Sequence, residues 1–224
     1  MFSVLFELHP RTDRWDAYLG YGKMLRSELE GIDGFVGNIR YRSLTREGWL
    51  LSLSGWRDEK ALIRWRTSAG HHGVQEKGRD HALLDCHLRV GQPTRDSRLP
   101  EGCKLREQRL DETESGEATA LMLIAVRLPD PDDQVSAEAR SKWLGLNLGA
   151  DGLVGWDVFT AVLAPADAIP LTFWRDRNAA EAFENDVSPP VGARLRHIRV
   201  VRDYGLFDRH EAPQYYPAPR GDHR

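Results

Sequence analysis

One feature limits what this 224-residue chain can fold into: part of it is written twice. Gly55-Trp56-Arg57-Asp58-Glu59-Lys60-Ala61 recurs 118 positions later as Phe173-Trp174-Arg175-Asp176-Arg177-Asn178-Ala179. The same offset carries Asp33-Gly34-Phe35-Val36-Gly37 onto Asp151-Gly152-Leu153-Val154-Gly155. A third match, His87-Leu88-Arg89-Val90 with His197-Ile198-Arg199-Val200, holds at an offset of 110, so about eight residues are missing near Ser188-Pro189-Pro190. A period this long means two domains and not a short-repeat solenoid. Copies of roughly 100 residues are long enough to bury independent cores.

Hydrophobic periodicity gives the first copy the order βαββαβ. Residues 2–8 read as a strand ended by His9-Pro10. From Asp13 as N-cap, Trp15, Tyr18, Leu19, Gly22, Leu25 and Leu29 put one apolar face on a helix that Gly31 stops. Strands at 35–44 and 49–54 form a hairpin through Thr45-Arg46-Glu47-Gly48. A helix after Trp56 carries the stripe Ala61, Leu62, Trp65 and Ala69, weakens at Gly70 and Gly73, and gives way to a strand at 82–90. The second copy predicts strands at 120–128, 153–162, 169–173 and 195–202, with helices at 136–148 and 179–185. The expected domains are 1–92 and a degenerate 118–208, with a Pro-, Arg- and Asp-rich linker at 93–117 and a surface tail at 209–224. The fold class is α+β, two ferredoxin-like βαββαβ units. Each antiparallel sheet has helices on one face only, so the bare faces are expected to pack sheet-to-sheet within the chain.

Composition narrows function by exclusion. A net charge of -3 supplies no basic field for nucleic acid. The two cysteines, Cys86 and Cys103, are too few for a thiolate cluster or a disulfide scaffold, which fits a reducing cytoplasm. No apolar run reaches bilayer length, and Met1 to Glu7 does not read as a signal peptide, so the expectation is a cytoplasmic chain with no membrane partner. The sequence has no phosphate loop, no His-Glu-x-x-His spacing and no nucleophile elbow.

Gly34-Phe35-Val36-Gly37, Leu51-Ser52-Leu53-Ser54-Gly55-Trp56-Arg57-Asp58, Trp65-Arg66 and His71 six positions after Trp65 together resemble the antibiotic biosynthesis monooxygenase family, as does the run from Arg199 to Arg209. The resemblance implies a dimeric α+β barrel, here formed within one chain, with further homodimerisation open. It implies a cofactor-independent monooxygenase acting with dioxygen on an aromatic, phenolic or quinol-type small molecule. The alternative it leaves open is a non-catalytic small-molecule or haem-binding protein of the same fold. In haem-degrading relatives the ligating histidine falls ten positions after the second tryptophan, where this chain has Gln75.

The two copies act as each other's control. Trp56 and Trp174, Arg57 and Arg175, Asp58 and Asp176, and His87 and His197 are shared and are expected to serve the fold. Asn38, Tyr41, Trp65 and His71 are replaced at the matching positions by Trp156, Phe159, Phe183 and Pro189, which predicts a polar pocket in the first copy only. In that pocket His71 or His72 would move the proton. Asn38, Tyr41 and Arg66 would hydrogen-bond a developing oxyanion, while Trp65 and Trp56 would bind a flat ring. A helical wheel from Trp65 favours His72, whereas the family resemblance favours His71.

Overall fold

The structure, a computed structural model, describes residues 1–77, 81–106, 116–128, 145–187 and 189–206. The repeated block is where a strand turns into a helix, and both copies build that turn in the same way. After β3 (Leu50–Trp56) the Arg57 N–H donates to the Gly34 carbonyl at 2.8 Å. The Asp58 carboxylate then caps α2 (Glu59–Arg66) by accepting from the Ala61 N–H at 2.8 Å. After β7 (Ala164–Trp174) Arg175 donates to Gly152 at 2.8 Å, and Asp176 caps α4 (Arg177–Asp186) through Ala179 at 2.9 Å. Gly34 and Gly152 have φ of 89° and 76°, and a Cβ on either would lie 2.7 or 2.6 Å from the Ala61 or Ala179 methyl. Two demands therefore select glycine at each position, the left-handed backbone and the helix packed against it. The residues shared by the copies do structural work.

The remaining elements are β1 (Phe2–Pro10), α1 (Trp15–Glu30), β2 (Phe35–Ser43), α3 (Ala69–Lys77), β4 (Leu83–Asp96), β5 (Ala120–Arg127), β6 (Leu153–Ala161) and β8 (Arg194–Gly205). The strands close into one antiparallel barrel in the order β1-β3-β2-β6-β7-β5-β8-β4. The first-half strands run together, as do the second-half strands, and the halves meet at two seams, β2 on β6 and β4 on β8. Across the first seam Tyr41 pairs with Ala161 and Ser43 with Phe159, so shifting one copy onto the other by 118 exchanges the two pairs. Across the second, His87 pairs with Gly205 and Arg95 with His197, which the offset of 110 exchanges in the same way. The halves thus face each other about an approximate twofold axis, and the bare sheet faces become the barrel interior.

Strand alternation sorts the side chains. Leu5, Tyr41, Leu51, Leu53, Leu121, Leu123, Phe159, Ile169, Leu171 and Ile198 form the interior core. Phe2, Trp56, Ala61, Trp65 and Val90 pack outside it under the first-half helices, and Met122, Trp174, Ala180 and Phe183 do so in the second half.

Several sequence-based boundaries shift. The first positions of the expected linker continue β4 to Asp96, because pairing with β8 holds this polar stretch in the ladder without an apolar face of its own. β7 begins at Ala164, before the expected 169. The single helix expected after Trp56 is two: the chain breaks at Thr67, whose Oγ1 bonds back to the Ile63 carbonyl at 2.9 Å. Most of the expected helix at 136–148 and the tail at 209–224 lie outside the described residues. Residues 145–148 are not helical, and Gly145 has φ of 71°.

Candidate active site in the first half of the chain

The apolar stripe of α1 is the one the sequence predicts, yet none of the helix is fully buried, and Trp15 and Leu19 are about two-fifths exposed. The helix packs on the sheet through Leu25 and Leu29 only in part. Trp15, Tyr18, Leu19, Gly22, Leu25 and Leu29 also line a cavity that runs between α1, α2, α3 and the outer face of β1, β2, β3 and β4 and on to the β2–β6 seam, about 1730 Å³ in all. In the second half the positions matching α1 lie almost wholly outside the described residues; α4, which matches α2, packs Phe183 against Trp174 at 4.7 Å between ring centroids, where Trp65 stands in the first half.

Trp56 is fully buried at the cavity's base, its Nε1 donating to Ser54 Oγ at 3.0 Å and its ring edge-on to Phe35. Trp65 lies beside it, 9% exposed, and the His71 imidazole stacks on it with centroids 4.3 Å apart and planes inclined by 22°. The break at Thr67 explains this contact. The wheel that favours His72 assumes a continuous helix, whereas the new helix α3 starts at Ala69 and brings His71 back over Trp65. The His72 side chain lies outside the described residues. Arg66 also lines the cavity.

Asn38 projects from the cavity face of β2, its Nδ2 donating to Ser52 Oγ at 2.8 Å. Tyr41, three residues on, falls on the opposite face and joins the barrel-interior core. The expectation that Asn38 and Tyr41 share one oxyanion is therefore corrected by the pleat, since an odd spacing separates faces. The cavity reaches Tyr41 only where it extends to the β2–β6 seam, beside residues 161–164, Asp167 and Arg194. Burial pushes the Tyr41 phenol up to about 12 despite nearby Arg196. Phe159, expected to plug a second outer pocket, faces the interior as Tyr41 does.

Three features were not anticipated. Arg40 lines the cavity with its guanidinium 5.7 Å from the Tyr18 ring centroid, against α1 where Gly22 leaves room. Burial raises the Tyr18 phenol, which keeps a neutral hydroxyl on the wall. At one end of the barrel, buried carboxylates alternate with arginines. Arg46 donates to Glu7 at 2.5 Å and Asp157 at 2.8 Å, Arg89 to Glu7 at 2.5 Å and Asp203 at 3.3 Å, and His87 also bonds Asp203. Burial opposes the Asp203 charge, but His87 and Arg89 outweigh it and hold the carboxyl below its usual range. Alternation in β1 was the available signal, because Glu7 occupies the same face as Leu5. Among the described residues no group of three or more His, Cys, Asp and Glu is placed to hold a metal ion, and no helix is long and apolar enough to cross a membrane.

A family model described as antibiotic biosynthesis monooxygenase matches residues 1–77, which contain most of this cavity's wall. Over 223 residues the chain is 48% identical to a protein named jasmonate monooxygenase ABM from Pyricularia oryzae, an alignment covering 97% of this chain and 99% of that one. This chain belongs to the antibiotic biosynthesis monooxygenase family. Solved structures similar to this family member include an antibiotic biosynthesis monooxygenase, 13% identical with a TM-score of 0.36, covering 40% of this chain and 95% of its own. An anthrone oxidase-like protein is 14% identical with a TM-score of 0.32, covering 92% and 93%. Both are too distant to decide a function.

Proposed function

We propose that this chain is a monooxygenase that oxidises a small, weakly acidic ring compound, of phenolic, quinol or cyclic-ketone type, in the first-half cavity and without an organic cofactor. The observation that carries the reading is the arrangement on the cavity wall: an imidazole stacked on Trp65, the Asn38 amide held by Ser52, and apolar surface around both. His71 takes a proton from the substrate. Asn38 donates to the oxygen on which the resulting charge collects. Trp56 and Trp65 hold the ring, and α1 shields it from water. Dioxygen then converts an activated CH₂ to C=O with release of water, a balanced four-electron oxidation that calls for no further reductant. Within this proposal the chain is a tandem duplication whose second half, 118–208, has become a structural partner to 1–92; the two self-matching seams support this.

The name of the Pyricularia oryzae relative favours a second substrate of the same reaction type, a jasmonate-like cyclic ketone acid, whose acidic carbon lies next to the ring carbonyl. The test is aerobic turnover of anthrone, a hydroquinone and jasmonate by the purified chain and by Asn38→Ala. The wild type should convert at least one probe, with kcat falling about 10²-fold in Asn38→Ala. Saturable binding of these probes with no product would replace the enzyme by a binding protein.

A further inference from the structure

One cation on the cavity wall has no counter-charge, and the fold makes room for it. Arg40 stands two residues after Asn38 on β2, so both side chains leave the cavity face of the strand. Arg40 pairs with Ser52 across the ladder, and Ser52 Oγ is the atom that accepts from Asn38 Nδ2 at 2.8 Å. Amide and arginine therefore stand side by side on the wall. The guanidinium reaches α1, where it lies 5.7 Å from the Tyr18 ring centroid and fills the space that a Cβ on Gly22 would need. Glycine is unfavourable inside a helix, and here it makes the seat for this one group. Arg40 is half-buried, and among the described residues its side chain has no hydrogen-bond or ion-pair partner. In the second half the matching position is the fully buried Val158. Nearby groups do not neutralise the charge. Among the described residues the wall has four carboxylates: Arg26 holds Glu30 at 2.8 Å, Arg127 holds Asp167 at 3.2 Å, Glu59 lies 3.8 Å from Arg202, and Glu47 is exposed in the turn after β2. Burial raises the Tyr18 phenol, so it stays neutral beside the guanidinium.

We propose that Arg40 is a catalytic residue: with the Asn38 amide, its guanidinium binds the oxyanion that the ring substrate becomes on losing its proton. The inference rests on the proposed function and adds to it the group that supplies a full positive charge. When the substrate O–H, or the C–H beside its ring carbonyl, breaks, the proton passes to His71 and the electron pair settles on the substrate oxygen. A neutral amide offers that oxygen an ordinary hydrogen bond. The guanidinium adds a charge-assisted one, roughly twice as strong, from a seat that is fixed before the charge appears. Arg40 gains little from a neutral phenol or ketone and much from the anion, so it lowers the barrier more than it tightens substrate binding. It takes the place expected of Tyr41, which the pleat turns to the barrel interior.

The probe is 4-nitrophenol, whose phenolate absorbs in the visible, titrated with base while bound to the full chain. Comparing the chain with Arg40→Met leaves His71, Tyr18, Lys23 and Arg66 the same on both sides. The acid ionisation constant of the bound phenol should be at least about tenfold larger in the wild type than in Arg40→Met, the scale of one charge-assisted hydrogen bond. Arg40→Lys, which keeps the charge, should retain part of the effect. Gly22→Ala, which unseats the guanidinium without removing it, should lose part, and it carries the test if Arg40→Met fails to fold. In steady-state oxidation kcat should fall about 10²-fold in Arg40→Met while KM stays within about threefold. An ionisation constant unchanged in the folded variants would overturn the assignment, as would failure of the chain to bind the probe. An Arg40-dependent ionisation in a chain that turns over no substrate would support the assignment and count against the monooxygenase reading instead.

Discussion

Replacing His71 separates the stacking of its ring from the proton transfer proposed for it. The imidazole lies 4.3 Å from the Trp65 ring centroid, nearly parallel, and Trp65 is itself 9% exposed. An aromatic pair of this kind contributes about 0.5–1.5 kcal/mol. In a domain of this size that amount moves Tm by roughly 2–5 °C. A general base contributes about 10²–10⁴ in rate, or ~3–5 kcal/mol of barrier. His71→Phe keeps a flat ring on Trp65 and removes the base, so kcat/KM should fall at least about 100-fold while Tm stays within ~2 °C of wild type. His71→Ala should show the same loss of rate and the full drop in Tm. Steady-state oxidation and thermal unfolding, measured on both variants, read the two effects independently. Full activity in His71→Phe would refute the proton-transfer role; an unchanged Tm in His71→Ala would show that the stack contributes nothing.

Other consequences concern the frame around the cavity. Because the folded Tyr41 pKa of about 12 lies above the ordinary 10, the unfolded chain ionises first; stability should be intact below pH 10 and fall by ~2–3 kcal/mol as pH rises from 10 to 12, a loss that Tyr41→Phe should remove in pH-dependent unfolding curves. Asp58→Ala and Asp176→Ala should each cost about 1 kcal/mol in denaturant unfolding, a typical value for a lost helix cap, and unequal costs would contradict the equivalence of the two turns. Asp157→Ala should cost about 2–4 kcal/mol, somewhat less than breaking a fully buried pair, since Arg46 is partly solvated and keeps Glu7; a cost under 1 kcal/mol would show that this cross-seam cluster does not hold the halves together.

The sequence made the frame legible because repetition and periodicity report local geometry. Gly34, Ala61 and Asp58 recur as Gly152, Ala179 and Asp176 since each meets the same backbone demand in both halves. The cavity wall was legible for a related reason: the α1 stripe from Trp15 to Leu29 is apolar whether it packs or lines a space. That it lines a space was not readable, because an apolar side chain does not encode its distance from the opposite surface. The relation of His71 to Trp65 turned on a break at Thr67, where a hydroxyl bonding back to Ile63 leaves little mark in the hydrophobic pattern. Tyr41 is grouped with Asn38 because both are replaced in the second copy, by Phe159 and Trp156, and that comparison does not register that the strand's period of two sends them to opposite faces. The Glu7, Arg46 and Asp157 cluster joins the two halves at one end of the barrel, and no local pattern records such pairings.

Incubation of the purified chain with anthrone under ¹⁸O₂, with no flavin, metal or reductant added, tests the oxygenation most directly. The account predicts one dioxygen consumed per product, with one ¹⁸O in the new carbonyl, and at least a 100-fold slower reaction in His71→Phe. Product formed at the wild-type rate by His71→Phe, or the absence of ¹⁸O from the product, would contradict it.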